Sequence, residues 1–206
     1  KHMTTEQLRH RMPPILKALK ERSLRGRTPV EGLRRTECAY HGWDTVHADA
    51  ASWEPFAPGD AFGGLEAHHC FKGTVTLPEA SAGKRVVCLV STGASDIWNN
   101  NNPQFLAYVD GRLVCGLDVN HNEFDLAACA VPGESHELAL YVYCNTPARD
   151  VFLRVETAER DDDVTGLYYD LRAPYEVCAL LADDDTRAIG IMKHLNRALN
   201  LLDLRD

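Results

Sequence analysis

The sequence predicts a mainly β protein, an antiparallel β-sandwich with helices at both ends. Three observations predict it. From Cys38 to about Leu171, short apolar runs alternate with turn signals, the rhythm of a sandwich. Asp110-Gly111 separates the runs FLAYV and RLVCGL, as a two-residue type I′ hairpin demands, because both turn positions need positive φ. At the two ends the apolar spacing changes to three and four, the period of helices. With 206 residues, 45% hydrophobic and 25% charged, the chain has the composition of a globular domain and the length to bury a core without staples.

In chain order, Lys1, His2 and Met3 read as a cloning scar followed by a native Met and are left out of the fold reasoning. Thr4 with Gln7 three residues later can cap a first helix. Pro13 and Pro14 interrupt it and suit the start of a second, Ile15 to about Arg22, whose apolar side is Ile15, Leu16, Ala18 and Leu19. Leu24 to Glu37 has no sustained period and reads as a linker, so residues 1–36 are scar, helical arm and linker. The sandwich follows as residues 37–172. Its expected strands are His69–Leu77, Arg85–Thr92, Gln104–Val109, Arg112–Leu117, Glu137–Cys144, Val151–Thr157 and Val164–Leu171, with prolines and glycines between them. Residues 173–206 return to helix. Pro174 opens one to about Ala182, and Asp183, Asp184 and Asp185 suit the positive N-terminus of another. That last helix, Thr186–Leu204, carries Ala188, Ile191, Met192, Leu195, Leu199 and Leu202 as one apolar stripe in need of a partner.

Composition narrows the partners. The net charge of -8 argues against a surface that gains affinity by neutralising phosphates, so no nucleic acid is expected. Residues 1–35 nevertheless carry 10 Lys and Arg against 3 Asp and Glu, a basic arm before an acidic body. That arm is either a docking element for an acidic surface or a solvated helical face. The seven cysteines form no C-x-x-C pair, and several lie in apolar runs such as RVVCLV, as small buried hydrophobes of a reducing compartment do. There is no leader-like segment and no apolar stretch long enough for a membrane helix, so the expected location is cytoplasmic, with no membrane partner.

The stretch DIWNNNNPQ combines the Trp98 indole with Asn99, Asn102 and Gln104. Sugar sites favour such a set, because an aromatic face stacks on C–H groups while amides bond hydroxyls. The alternative makes Trp98 a core anchor and the asparagines turn punctuation; Trp43 and Trp53 pose the same choice. In LDVNHNEF, Asp118, Asn120, His121 and Glu123 offer donors for Ca²⁺ or for a sugar hydroxyl, without the spacing of a dedicated calcium loop. The competing reading has Asp118 and Asn120 bonding their own backbone while His121 ties the turn to the next strand. His68, His69 and Cys70 are consecutive on a strand and point to opposite faces, so they do not converge on one metal ion. Nucleophile-elbow, phosphate-loop, H-E-x-x-H and dinucleotide signatures are all lacking.

Three blocks taken together carry a family resemblance: WEPFAPGDAFGGLEAHHCFKGTVTLP (Trp53–Pro78), DIWNNNNPQFLAYVDGRLVCGLDVNHNEFDL (Asp96–Leu126) and GLYYDLRAPYEVCALL (Gly166–Leu181). From about residue 33 onward the chain resembles the N-terminal, non-catalytic region of bacterial α-mannosidases of glycoside hydrolase family 38. The resemblance implies a jelly-roll sandwich of the galactose-binding-like kind, joined by its C-terminal helices to a larger catalytic region. It implies that the parent enzyme holds zinc through two His and two Asp, beginning with an H-x-H-x-D motif, and hydrolyses α-mannosides by a retaining mechanism. This sequence has no such motif, so no catalytic residue, metal ligand or cofactor is assigned to it. The expectation is an accessory, scaffolding domain, catalytically silent, whose partners are the parent's catalytic region and mannose-containing oligosaccharide. Two rivals are a carbohydrate-binding module that uses Trp98, Asn99, Asn102, Gln104, Asp118 and His121, and a self-contained metal or acid/base enzyme built on Asp118–Glu123.

Overall fold

A computed structural model describes residues 5–93 and 103–204. The chain divides into two compact units, Gly26–Glu159 and a helical unit made of Lys1–Arg25 with Arg160–Asp206. It is mainly β, with antiparallel sheets in a sandwich-like arrangement and helices at the N- and C-terminal ends.

The strands of the sandwich are β1 (Leu24–Pro29), β2 (Leu33–Cys38), β3 (Glu54–Phe56), β4 (Ala61–Thr76), β5 (Arg85–Ser91), β6 (Gln104–Val109), β7 (Arg112–Leu117), β8 (Glu123–Ala127), β9 (Ser135–Phe152) and β10 (Arg154–Arg160). One sheet has the order β1-β10-β5-β8 and the other β3-β2-β4-β9-β6-β7. Strand side chains alternate between faces, so one face of each sheet supplies the core. Phe71 of β4 lies opposite Leu140 of β9, which lies opposite Ala107 of β6. All three are buried against Val86, Cys88 and Val90 of β5, Phe124 and Leu126 of β8, and Val155 of β10. Phe56, Phe62 and Phe71 meet edge to face, with ring centroids 4.9 Å apart for Phe56–Phe71 and 5.0 Å for Phe62–Phe71. That is the geometry aromatic quadrupoles prefer.

The β6–β7 hairpin forms as the sequence predicts, with φ of 51° at Asp110 and 74° at Gly111. Asp110 also fixes the hairpin to β9. Its carboxylate accepts the Glu137 N–H at 2.9 Å and lies 2.8 Å from His136 Nδ1. The hydrogen bond from His136 is the main reason that the Asp110 carboxyl sits below its ordinary value.

The helical unit contains α1 (Thr5–Arg22), α2 (Asp162–Leu180) and α3 (Thr186–Leu199). Leu8, Met12 and Leu19 of α1, Leu171 and Cys178 of α2, and Met192, Leu195 and Leu199 of α3 form one buried cluster. The α3 stripe therefore has its partners in this chain, with Ala188, Met192, Leu195 and Leu199 buried and Ile191 and Leu202 partly so. Basic residues of α1 bond within the same unit. Arg22 donates to the Leu204 carbonyl at 2.6 Å, and Arg9 lies 3.3 Å from Asp183.

Four expectations change. Residues 5–22 are one helix rather than two, with Pro13 and Pro14 inside it. Both prolines are exposed while Leu8, Met12 and Leu19 are buried, so interhelical burial offsets the hydrogen bonds that proline cannot make. The residues read as a linker form β1 and β2. Five of the six β1 residues are exposed, and β2 carries charged Arg34 and Arg35 with partly covered stems, so neither strand shows the usual alternation. Val164–Leu171 is helix instead of strand, and Pro174 lies inside α2 rather than opening it. Asp161 caps that helix by accepting the Val164 N–H at 3.0 Å, and the positions packed inward run Val164, Leu167, Tyr168, Leu171, a helical period. Finally, Glu137–Cys144 belongs to a strand that extends to Phe152, and β8 joins the four-stranded sheet unforeseen. Lys1–Met3 and Thr4 lie outside the described residues.

Replacing Phe71 by alanine should cost about 3–5 kcal/mol, since the ring is fully buried between two other phenylalanines. Urea titration should show a lower midpoint with an unchanged slope; a change under 1 kcal/mol would contradict this placement of the core.

Candidate functional site

The outer face of the six-stranded sheet is organised by its register. Cys38, His68, Tyr143 and Gln104 lie opposite one another across β2, β4, β9 and β6. Thr36, Cys70, Tyr141 and Leu106 form the next such row, and Arg34, Lys72, Ala139 and Tyr108 the third. Directly paired residues share a face, so these rows bring four aromatic or histidine rings together.

Residues 39–53 are tied down over this face. Val46 and Trp53 pack on Cys70, Tyr108, Ala139 and Tyr141 in a cluster separate from the main core. Two cations bind the segment through its carbonyls. Lys72, only 7% exposed, donates to the Ala48 carbonyl at 2.9 Å and pairs with Glu137 at 3.1 Å. Arg34 donates to the carbonyls of Trp53 at 2.9 Å and Ala51 at 3.2 Å. A charge as nearly buried as that of Lys72 persists only when paired and hydrogen-bonded, as it is here, whereas Arg34 is only partly covered and is held by the two carbonyls.

The segment enters a short 3-10 turn, Gly42–His47, through His41 in the left-handed region at φ 57°. The segment there presents Tyr40 (71% exposed), His41 and Trp43 (41% exposed) beside His68, Tyr141 and Tyr143 of the two neighbouring rows. Ring centroids are 3.8 Å apart for Tyr40–His41, 4.7 Å for His41–Trp43 and 5.4 Å for Tyr40–His68. Beneath them His68 stacks on Tyr141 at 5.7 Å, and the Tyr141 hydroxyl lies 2.7 Å from His68 Nδ1. Burial pushes the His68 pKa down, the charge of His41 adds to that effect, and Glu66 opposes it. A neutral imidazole has one donor and one acceptor nitrogen and a hydroxyl can act as either, so the Tyr141 hydroxyl partners Nδ1 in both tautomers of the neutral ring. Cys38 and Cys70 are 3.8 Å apart; their hydrogen bond draws the Cys38 thiol down and pushes the Cys70 thiol up. Glu66, at φ 50°, sits where the β4–β9 register slips between Gly64 and Ala67, an irregularity that re-aims the strand beside this surface.

Of the residues singled out from sequence, Gln104 joins this surface, exposed and in register with Tyr143 and His68. Leu117 pairs with Phe105, so Asp118 leaves the sheet at the same end as Gln104. There Asp118 Oδ1 accepts the backbone N–H groups of Asn120 and His121, each at 2.7 Å, and lies 3.3 Å from His121 Nδ1. Those bonds draw its carboxyl below the ordinary range. With these bonds the Asp118 carboxylate closes a turn on itself. Trp98, Asn99 and Asn102 lie outside the described residues. The two remaining tryptophans divide, Trp53 into the small core and Trp43 onto the surface. His69 turns to the opposite face from His68, fully buried and 3.2 Å from the Gly63 carbonyl. Sequence reasoning did not select Tyr40, His41, Tyr141 or Tyr143. The available signal was the period-two spacing of Tyr141 and Tyr143, which places both on one face.

Among the described residues no three His, Cys, Asp or Glu side chains are placed to hold a metal ion. Among the described residues, no helix is long and apolar enough to cross a membrane.

No protein-family model and no curated protein matches the sequence. Solved structures similar to the chain include a β-glucuronidase from Ruminococcus gnavus, at 8% identity and a TM-score of 0.47 over 66% of this chain and 29% of that one. Another is the Faecalibacterium prausnitzii β-glucuronidase, at 14% identity and a TM-score of 0.42, covering 66% of this chain and 32% of that one. A third, from Bacteroides uniformis, has 11% identity and a TM-score of 0.45, with 65% of this chain and 18% of that one covered. The chain thus spans a third or less of the length of these proteins, and no residue here takes a role from them.

Two consequences are measurable. The folded His68 ring binds its proton more weakly than the unfolded ring, so its contribution to stability is complete above the unfolded value near 6.5 and is lost as pH falls through the lower folded value. The stability difference between the native protein and His68→Gln should therefore shrink between about pH 7.5 and pH 5, whereas parallel urea midpoints would refute the assignment. Lys72→Ala should cost about 1–3 kcal/mol by removing the bond to Ala48 and should shift Trp43 fluorescence. An unmoved emission maximum would mean that Lys72 does not position the segment.

Proposed function

We propose that this chain is an accessory domain of a glycoside hydrolase, the N-terminal domain of an α-mannosidase of family 38, and that it contacts mannose-containing oligosaccharide through its outer aromatic surface. The family assignment is supported by the three sequence blocks. The sugar contact is carried by one observation, the exposed pair Tyr40 and Trp43 flanking His41 above His68. Pyranoses present a C–H face that stacks on such rings and a hydroxyl edge that seeks polar partners. His41 and Gln104 supply those partners at the border. In this proposal zinc and the reacting carboxylates belong to the parent's catalytic region, which is this domain's other partner.

Titration calorimetry with mannose, galactose and short α-mannosides tests the contact. Trp43→Ala should weaken mannoside binding ~3- to 10-fold, the worth of one aromatic stack, with its melting temperature preserved. Absence of any heat with all these sugars would remove the sugar contact and leave a purely scaffolding domain. Incubation with zinc and an aryl α-mannoside should release no phenol; zinc-dependent turnover by this chain would overturn the accessory role itself.

A further inference from the structure

A second opening lies between the two sheets, where β1, β10 and the last residues of β4 come together. Alternation along β10 places Val155, Thr157 and Glu159 on one face, and Val155 is part of the core between the sheets. The Val30 N–H donates to the Val155 carbonyl at 2.8 Å, which carries the β1 ladder one residue past the strand and puts Thr28 on the same face as buried Val30. Thr28, Thr157 and Glu159 thus occupy core-facing positions that a closed sandwich would fill with apolar side chains. Opposite them stands Val75 of β4, with Val86 of β5 alongside, both buried.

The sheets consequently enclose a cleft of about 490 Å³ instead of a packed end, within the range of small-molecule sites. Val30, Val75 and Val86 give the lining its apolar part and Thr28 and Thr157 are among its polar residues; the Thr28 hydroxyl donates to the Gly26 carbonyl at 3.2 Å and keeps its lone pairs to accept. The charged residues among the described lining are Glu31 and Glu159, and Glu159 is held by Lys84 at 2.7 Å. With no cation in that lining, phosphates, sulfates and nucleotides are disfavoured. A lining that is part apolar and part hydroxyl suits a molecule with a C–H face and hydroxyl edges.

We propose that this cleft binds a neutral polyhydroxylated ligand of mono- or disaccharide size. The site is separate from the aromatic surface, which lies on the outer face of the six-stranded sheet, whereas the cleft lies between the sheets, and it stands or falls independently of it.

Amide chemical-shift titration of the whole chain with methyl α-mannoside, methyl β-galactoside and maltose tests the proposal. At least one should give saturable shifts at Thr28, Thr74, Thr76 and Thr157. Thr157→Val keeps the shape and removes a hydroxyl, so it should lower that affinity about tenfold without lowering the melting temperature. Thr28→Val should act likewise, and Trp43→Ala should leave these shifts and their affinity intact. The cleft assignment fails if none of the three sugars moves these amides, if both valine variants bind as the native protein does, or if Trp43→Ala abolishes the shifts.

Discussion

The pairing of β4 with β9 is the constraint from which both candidate sites descend. It is the longest ladder of the sheet, from Thr76–Ser135 to Ala61–Phe152, and each pair assigns two side chains to the same face. A slip by one residue would turn Phe71 and Leu140 outward and bring His68, Cys70 and Tyr141 into the core. The fully buried cluster on one side leaves that alternative no room. The ring surface on the other side is therefore a by-product of core packing, fixed by the same hydrogen bonds.

What converts that face into a site is residues 39–53. The segment has its own small core in Val46 and Trp53 and its own polar fasteners in Lys72 and Arg34. These cations take backbone carbonyls as partners and so satisfy groups that a loop lying on a sheet would otherwise bury unpaired. Because the fasteners hold the C-terminal part of the segment, at Ala48, Ala51 and Trp53, its N-terminal part is left to project Tyr40, His41 and Trp43 outward. The cleft on the other side of the six-stranded sheet follows the opposite logic. Hydroxyls and a carboxylate stand where core residues would be, and the sheets stay apart at that end.

The helical unit shows a similar division of labour between local and distant interactions. Pro13 and Pro14 oppose a continuous helix, yet α1 runs through both of them. The apolar positions before and after the prolines lie on one stripe, and α2 and α3 cover it. Tertiary burial outweighs the local penalty, as it commonly does for helices packed along a full apolar face.

The sequence by itself determined the class of fold, the β6–β7 hairpin and the capped α3 stripe, because each depends on neighbours within a few residues. Asp110-Gly111 needs only its own backbone angles, and Asp118 closes its turn with residues two and three positions on. It did not determine β1, β2 or the helical state of Val164–Leu171, where edge exposure, charged strand residues and aromatic content masked the period. The candidate surface was legible only in part. Gln104 and the two faces of His68 and His69 follow from local pattern, whereas the meeting of Tyr40, His41 and Trp43 with His68, Tyr141 and Tyr143 joins positions as far apart in the chain as Tyr40 and Tyr143. Only the register of three non-consecutive strands and the seating of one loop decide that meeting, and hydrogen bonds between distant strands leave no mark in local spacing.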